Sequence, residues 1–375
     1  MPATPTARLV SSQWLFNRLQ TLGGLTLIDS RSAQCYEHAH VWSFLSLPPP
    51  PHAGRGLFLE DDGSDGWSAV DISTLAPATE TGRERWAKRK LTDVIIYDAF
   101  GVYTPRSWAM TLANWLLQER LVTSVKLLQG GMQSFQRLYP FMMASRKDNG
   151  SESPTPVRST VLFSPSSSPT ATTKTHALTF PHEIVQGSIY LGNVWQATQP
   201  EVLRKMGISH VVSIAKEPLD EKVMLKNIKY HQLPMRSVMA SPDATIAFVR
   251  DATQSGGKVL LHCVHGISAS AAVVVFYVMH THKVSLVTAY NHVHRCRSLI
   301  YPNPAYMRWL VETEIARYGA PSVESLLEID DLQNGLLRDT PIDSTRKLSV
   351  TLSMLFRRRC TEKHVASHMQ RIFGE

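Results

Sequence analysis

The sequence is poor in cysteine and has no long apolar segment. Its four cysteines are Cys35, Cys263, Cys296 and Cys360. Their wide spacing excludes a disulfide framework and a paired metal motif. The longest apolar run, residues 269 to 279, is too short to cross a bilayer, and the N-terminus has no apolar signal core. We therefore expect a protein of a reducing compartment, the cytoplasm or the nucleus, with no membrane-bound part.

Aromatic residues are also scarce, at 8% of the chain, and no stretch interleaves them with basic residues. A nucleic-acid-binding surface is therefore not expected. The net charge of +8 is moderate for 375 residues. An ordinary basic surface is the simpler interpretation, and acidic or phosphorylated partners are the alternative. The length is sufficient for two domains that each bury a core.

Strand and helix patterns alternate through the first part of the chain. Apolar spacing predicts a helix over residues 8 to 22 and another over residues 108 to 119. Short buried strands are predicted at residues 25 to 28, 94 to 97 and 125 to 128. This alternation is typical of a parallel α/β sheet flanked by helices. A proline- and glycine-rich insert begins at Pro48, where a helix or a central strand is excluded.

Residues 142 to 178 are dense in serine, threonine and proline, which predicts a disordered linker. Four of its hydroxyl residues precede proline, as proline-directed kinase sites do, although such dipeptides also arise by chance. They are Ser153, Thr155, Ser164 and Ser168. Residues 321 to 375 are predicted to be a tail, with an amphipathic helix over residues 348 to 373. A docked or solvated helix is favoured there over a membrane or calmodulin-type segment.

The most informative stretch lies in the second half of the chain. Val259 to Leu261 predict a buried strand, residues 262 to 268 a tight loop, and the alanine- and valine-rich segment from Ser268 a buried helix. Cys263 lies where the strand gives way to the helix N-terminus. Unpaired backbone N–H groups and the helix dipole at such a place lower a thiol pKa and favour a bound phosphate.

This stretch resembles the signature loop of the cysteine-dependent protein phosphatases of the dual-specificity type. The phosphate-binding loop implied by the resemblance is His262, Cys263, Val264, His265, Gly266, Ile267, Ser268 and Ala269. By the same resemblance Cys263 holds the nucleophile position, and Ser270 matches the hydroxyl that helps the thiolate leave. Ala269 stands where the family has its arginine. Similar motifs extend over residues 182 to 317, which implies a phosphatase-like domain over residues 179 to 320.

The general acid of that family is replaced as well. In the family it lies a few residues after a proline-hydrophobic pair that follows the third strand, and the pair Pro234-Met235 here puts Ser237 at that place. The nearby Asp243 is expected to cap the next helix. We expect Arg236 and Arg297 to approach the loop from the wrong direction for a bidentate clamp on phosphate. Without an arginine fork and an acid, two of the three parts of the phosphatase reaction are missing.

Residues 8 to 141 resemble a rhodanese-type domain, through the segment from Leu27 to Arg31, the strand before Asp98 and the Gly130-Gly131 pair. Active sulfurtransferases carry a cysteine where this chain has Asp98, so the resemblance implies a non-catalytic domain. Such a domain before a dual-specificity domain is the arrangement of the MAP kinase phosphatases, in which it docks the kinase.

These patterns predict an α/β protein with a rhodanese-like domain and a dual-specificity phosphatase-fold domain, each a mainly parallel sheet flanked by helices. We expect a pseudophosphatase that binds phosphoproteins or a MAP kinase-like protein kinase. The alternative is a weakly active phosphatase that acts through a phosphocysteine at Cys263. No cofactor is expected, and His262 and His265 lack further ligands at zinc spacing.

Two further interpretations stay open from the sequence. Cys263 is a candidate redox sensor, although a thiol with an ordinary pKa is favoured because the neighbouring arginine is missing. The tripeptide over residues 88 to 90, followed by Leu91, is similar to a basic-then-apolar kinase-docking motif. A solvated basic surface is the simpler interpretation of that tripeptide.

Overall fold

The computed structural model of the protein describes residues 6–21, 24–50, 74–144 and 179–322. The chain divides into two compact units, a first unit that ends at Leu178 and a second unit that begins at Thr179. The predicted kinase sites, the tail helix and nearly all of the proline- and glycine-rich insert lie outside the described residues. Within the described residues, no helix has both the length and the apolar character needed to span a membrane.

The first unit is built on a five-stranded parallel sheet in the order β1-β6-β5-β2-β4. Its strands are β1 (Arg8–Val10), β2 (Leu25–Asp29), β3 (His40–Val41), β4 (Leu45–Ser46), β5 (Asp93–Tyr97), β6 (Ser124–Leu128) and β7 (Met143–Ala144). Its helices are α1 (Ser12–Leu19), α2 (Ala33–His38), α3 (Glu80–Ala87), α4 (Trp108–Glu119) and α5 (Gly131–Leu138). The three strands predicted from buried apolar runs are present as β2, β5 and β6, and each is one residue longer than predicted. The helix predicted over residues 108 to 119 is α4.

Two predictions for the first unit are wrong in detail. Residues 8 to 10 form the edge strand β1 beside β6, and α1 begins only after Ser11, whose side chain accepts the N–H of Trp14. Strand pairing and this N-cap override the helical spacing of the apolar residues. Residues 143 and 144, assigned to the linker, form β7 and pair antiparallel with β3. Met142, also assigned to the linker, is buried at the end of a 3-10 helix, Pro140–Met142, and residues 145 to 178 lie outside the described residues.

The second unit has a five-stranded sheet in the order β11-β10-β12-β9-β8, parallel except for the β8–β9 pair. Its strands are β8 (His182–Val185), β9 (Ile189–Asn193), β10 (His210–Ile214), β11 (Lys229–Leu233) and β12 (Val259–Cys263). Its helices are α6 (Val194–Thr198), α7 (Pro200–Met206), α8 (Met235–Ala240), α9 (Pro242–Gln254), α10 (Ala269–His282), α11 (Leu286–Cys296) and α12 (Pro304–Tyr318).

Helix α10 is the centre of the second core. Every residue from Ser270 to Met279 is buried, because the helix lies among the sheet, α11 and α12. This explains why its sequence is apolar on all sides rather than amphipathic. The central strand β12 leads directly into the loop before α10, so the core fixes where that loop starts and ends. The predicted fold class, two mainly parallel α/β sheets flanked by helices, is confirmed.

Candidate functional site

The predicted loop lies at the carboxyl end of the central strand of the second sheet. Strand β12 extends through Cys263, two residues beyond the predicted end, because His262 and Cys263 continue the parallel pairing with Gly192 and Asn193 of β9. The connecting loop is therefore residues 264 to 268. Ligand sites of parallel sheets lie at this edge. The side chain of Cys263 is thus held by rigid strand backbone at the mouth of the loop.

A glycine lets the loop pass close to the neighbouring strand. Gly266 has φ +66°, and a Cβ atom at this position would lie 2.3 Å from the carbonyl oxygen of Gly192. A side chain is excluded both by this contact and by the left-handed conformation. The loop therefore packs against β9 without any contribution from the side chain at position 269.

Three hydrogen bonds hold the outer side of the loop. Arg297 donates through Nε to the carbonyl oxygen of Gly266 over 2.9 Å. The N–H of Tyr301 donates to Ile267 O over 2.7 Å, and the N–H of Asn303 donates to Ser268 Oγ over 3.1 Å. All three partners come from the segment between α11 and α12. The loop is thereby shaped by its surroundings as well as by its own sequence.

Arg297 supports the loop from behind and does not line the pocket above it. Its side chain is buried, and Nη1 lies 2.7 Å from His182 Nδ1. Burial lowers the pKa of Arg297 to about 10, against the attraction of the Cys263 thiolate, so Arg297 remains a cation. Burial, together with the charge of Arg297, lowers the pKa of His182 well below its usual value, so this ring is neutral. The orientation expected for Arg297 agrees with this geometry.

The pKa of Cys263 differs from the sequence expectation. Burial raises the pKa of the thiol, but the Ser270 hydroxyl, which donates to Sγ over 3.1 Å, lowers it. The backbone groups of Ser270, Ile267 and Gly266 lower it further, and the net result is a pKa below the ordinary value. The expectation of an ordinary thiol was wrong because the loop N–H groups stabilise the thiolate without an arginine.

Ser270→Ala is expected to raise the thiol pKa of Cys263 by about one to two pH units, because a charge-assisted hydrogen bond to the thiolate is lost. The measurement is the pH dependence of iodoacetamide alkylation in a background in which Cys35 and Cys360 are serine. Ser268→Ala is the matched control, since the Ser268 hydroxyl accepts from Asn303 and does not contact the sulfur. Equal midpoints for the two variants would contradict the assignment.

A pocket of about 620 Å³ lies above Cys263. Its walls are the loop itself, the chain after β10, the first turn of α8 and the start of α12. Ala269 lies in the wall, so the position of the missing arginine faces the pocket and is open. Lys216 and Arg236 also line it. The structure thus brings the predicted loop residues together around one cavity.

The general-acid position does not reach this pocket. Ser237 lies on α8, is exposed, and is not among the residues that line the cavity. Asp243 lies in the first turn of α9, but the N-cap position belongs to Ser241, so the predicted cap was wrong. The Asp243 carboxylate instead lies 3.5 Å from Arg317 on α12. Among the residues that the structure describes in the pocket wall there is no carboxylate to act as an acid.

The histidines beside Cys263 have separate environments. His262 is buried in β12, and burial lowers its pKa to about 4, so the ring is neutral at physiological pH. His265 is exposed on the loop and lines the pocket. In the described parts of the chain, no three histidine, cysteine or acidic side chains are grouped as metal ligands. His262 and His265 therefore have no third metal ligand beside them among the described residues.

In the first unit, the position of the sulfur-carrying cysteine holds a carboxylate that its own loop uses. Asp98 Oδ1 accepts the N–H groups of Phe100, over 3.0 Å, and of Gly101. Burial raises the pKa of Asp98, and these backbone N–H groups oppose the shift. The backbone N–H groups of Phe100 and Gly101 are thus bound by the carboxylate of their own loop.

In the basic tripeptide that was considered for kinase docking, residues 88 to 90, Arg89 contacts other side chains of the first unit. Arg89 Nη2 lies 2.5 Å from Glu119 Oε1, and its guanidinium lies 4.3 Å from the centre of the Trp86 ring. Leu91 is 86% exposed. Arg89 is therefore largely occupied by contacts within the first unit, whereas Lys88, Lys90 and Leu91 are exposed.

Sequence reasoning missed two sets of residues. It did not identify the bonds from Tyr301 and Asn303 to the loop, because these residues lie more than 30 positions after the loop and no local pattern links them to it. It also did not identify Lys216 as a pocket residue, although its place just after the end of β10 is a signal.

Comparisons with known proteins agree with this geometry. The family model "Dual specificity phosphatase, catalytic domain" matches residues 189–316. Dual specificity protein phosphatase 7 of Homo sapiens is 27% identical over 338 residues, which are 81% of this chain and 78% of the relative. A probable rhodanese domain-containing dual specificity protein phosphatase of Dictyostelium discoideum is 25% identical over 344 residues, 80% of this chain and 68% of the relative.

Among solved structures, the human tyrosine phosphatase-like serine/threonine/tyrosine-interacting protein is 30% identical, with a TM-score of 0.33. The match covers 38% of this chain and 99% of that chain. The relatives named as dual specificity phosphatases match across both units of the chain, and the family model falls on the unit that contains Cys263. The chain belongs to the dual-specificity protein phosphatase family.

Proposed function

We propose that the protein is a pseudophosphatase that binds phosphorylated protein segments and regulates signalling through a MAP kinase-like partner. One observation carries the proposal: the loop keeps its shape around Cys263, whereas the pocket has alanine at the arginine position and no carboxylate among its described lining residues. The site can therefore receive an anion through backbone N–H groups, and it lacks the groups that complete phosphoryl transfer.

Magnitudes favour binding over turnover. Loss of a charge-stabilising donor costs a factor of about 10²–10³ in rate. Loss of a general acid costs a further factor of about 10²–10⁴. These factors need not multiply, but partial addition already leaves little turnover. The loop N–H groups, by contrast, do not depend on either side chain.

The partner class is supported by the arrangement of the chain. Its relatives include dual specificity phosphatases that match across both units, one of them named for a rhodanese domain. A non-catalytic first unit would then contribute binding energy rather than chemistry, since Asp98 replaces the sulfur carrier. When two weak binding sites are joined by a linker, binding of a partner at one site raises its effective concentration at the other site. The cytoplasm or the nucleus, where such kinases act, is the proposed location.

A second candidate function is weak phosphatase activity through a phosphocysteine at Cys263. The observation in its favour is the lowered pKa of the Cys263 thiol, which favours the thiolate, the form that acts as the nucleophile. For substrates with good leaving groups, a thiolate in a cradle of N–H groups needs no general acid.

The proposal is tested by titrating a phosphorylated activation-loop peptide of a MAP kinase, and the same peptide without phosphate, against the whole chain. We expect selective binding of the phosphorylated peptide, equal affinity for Cys263→Ser, and no loss of phosphate during the titration. The same affinity for both peptides would contradict phosphate recognition. Loss of phosphate with the wild type but not with Cys263→Ser would favour the weak phosphatase.

A further inference from the structure

Two cationic side chains line the pocket above Cys263 although neither belongs to the phosphate-binding loop. Lys216 follows the end of β10, and Arg236 lies in the first turn of α8. Both side chains are exposed, and within the described residues neither forms an ion pair. Both cations therefore line one cavity, and no ion pair within the described residues compensates their charges.

The first turn of α8 is the segment that carries the general acid in the family. Successive residues of a helix point about 100° apart, so neighbours on a helix cannot face the same cavity equally. Here Arg236 lines the pocket and Ser237 does not. The segment thus presents a cation where an acid would be expected. Contrary to the expectation from the sequence, Arg236 lines the pocket, whereas Arg297 contacts carbonyl groups of the loop.

Charge balance makes these cations important for an anionic ligand. A phosphate dianion above Cys263 would lie in a pocket whose described lining contains a lysine and an arginine, Lys216 and Arg236. Ala269 supplies no compensating charge, and its small side chain leaves space above the loop. The backbone N–H groups provide only partial positive charge. Two full positive charges in the pocket wall would attract the dianion without occupying the position of the missing arginine.

We propose that Arg236 and Lys216 form the phosphate clamp of this pocket, and that the preferred ligand is a phosphate monoester on an aromatic ring, as in phosphotyrosine. The aromatic part is supported by the apolar walls, in which Pro234 and Met235 lie opposite the loop residues and Tyr306 comes from α12. Such walls contact a ring and offer little to a short aliphatic ester. This inference rests on the proposed function, since both need an anion at Cys263.

The test measures binding of phenyl phosphate to the full chain by calorimetry, in a Cys263→Ser background that prevents turnover. Arg236→Met and Lys216→Met are each expected to weaken binding by about fivefold, as for exposed charges. Each is also expected to reduce the salt dependence of binding. Lys226→Met is the matched control, because Lys226 is an exposed lysine of the same unit that does not line the pocket.

Arg236→Lys separates charge from structure, since it keeps the cation and should keep most of the affinity. If it binds as weakly as Arg236→Met, the role of a cation at this position is overturned. Parent-like binding by both methionine variants would overturn the clamp and leave the proposed function standing. Absence of any binding by the parent would overturn both. Equal affinity for methyl phosphate and phenyl phosphate would overturn the aromatic part alone.

Discussion

Ala269→Arg is expected to raise the hydrolysis of aryl phosphates by about 10²–10³-fold, the effect of one charge-stabilising donor. Position 269 lines a pocket of about 620 Å³, so a guanidinium has space to reach a phosphate there. The thiolate of Cys263 and the hydroxyl of Ser270 are already in contact over 3.1 Å. The measurement is the rate of release of p-nitrophenol from its phosphate ester by the whole chain.

The matched control carries Cys263→Ser together with Ala269→Arg, and it should show only the background rate. A folded Ala269→Arg protein that does not exceed this control would mean that the loop lacks the shape needed for phosphoryl transfer. Adding Ser237→Asp to Ala269→Arg tests the general-acid position with substrates that have poor leaving groups. Because Ser237 does not line the pocket, we expect it to add little unless α8 changes position.

Arg297→Met is expected to lower the free energy of unfolding of the second unit by about 2 kcal/mol or more. The change leaves the buried carbonyl oxygen of Gly266 without its donor, and an unsatisfied buried acceptor costs about 1–3 kcal/mol. It also removes the contact to His182. Removing a buried cation recovers some desolvation free energy, which keeps the expected loss at the lower end of the range.

Urea unfolding of the whole chain gives the free energy, and hydrogen exchange in peptides over residues 259 to 270 shows whether the loop opens. Arg295→Met is the matched control, since Arg295 lies on the same helix and is exposed. If the two variants have the same stability and the same exchange, the support from Arg297 is not what shapes the loop.

Much of the fold could be predicted because its signals are local. The helix over residues 108 to 119 and the strands β2, β5 and β6 follow directly from apolar runs of the right length. Strand β1 could not be predicted in this way. It is an edge strand whose partner, β6, lies more than 100 residues further along the chain, and its own residues have no strand pattern.

The site shows the same division. Cys263, Gly266 and Ser270 could be predicted because a short local pattern specifies the strand, the bend and the helix start. The support from Arg297 depends on a contact across 31 residues, which spacing does not indicate. The lowered thiol pKa was missed for a related reason. It depends on the Ser270 hydroxyl and on the backbone groups of the loop around the sulfur, whereas the missing arginine alone suggested an ordinary pKa.

The pocket above Cys263 is expected to hold an anion without turning it over. The most direct measurement is the release of inorganic phosphate from a phosphotyrosine peptide by the purified wild-type chain, beside Cys263→Ser at the same concentration. We predict equal rates, because Ala269 and the acid-free pocket wall prevent catalysis whatever the thiol does. A wild-type rate above that of Cys263→Ser would contradict the claim and identify a working phosphatase.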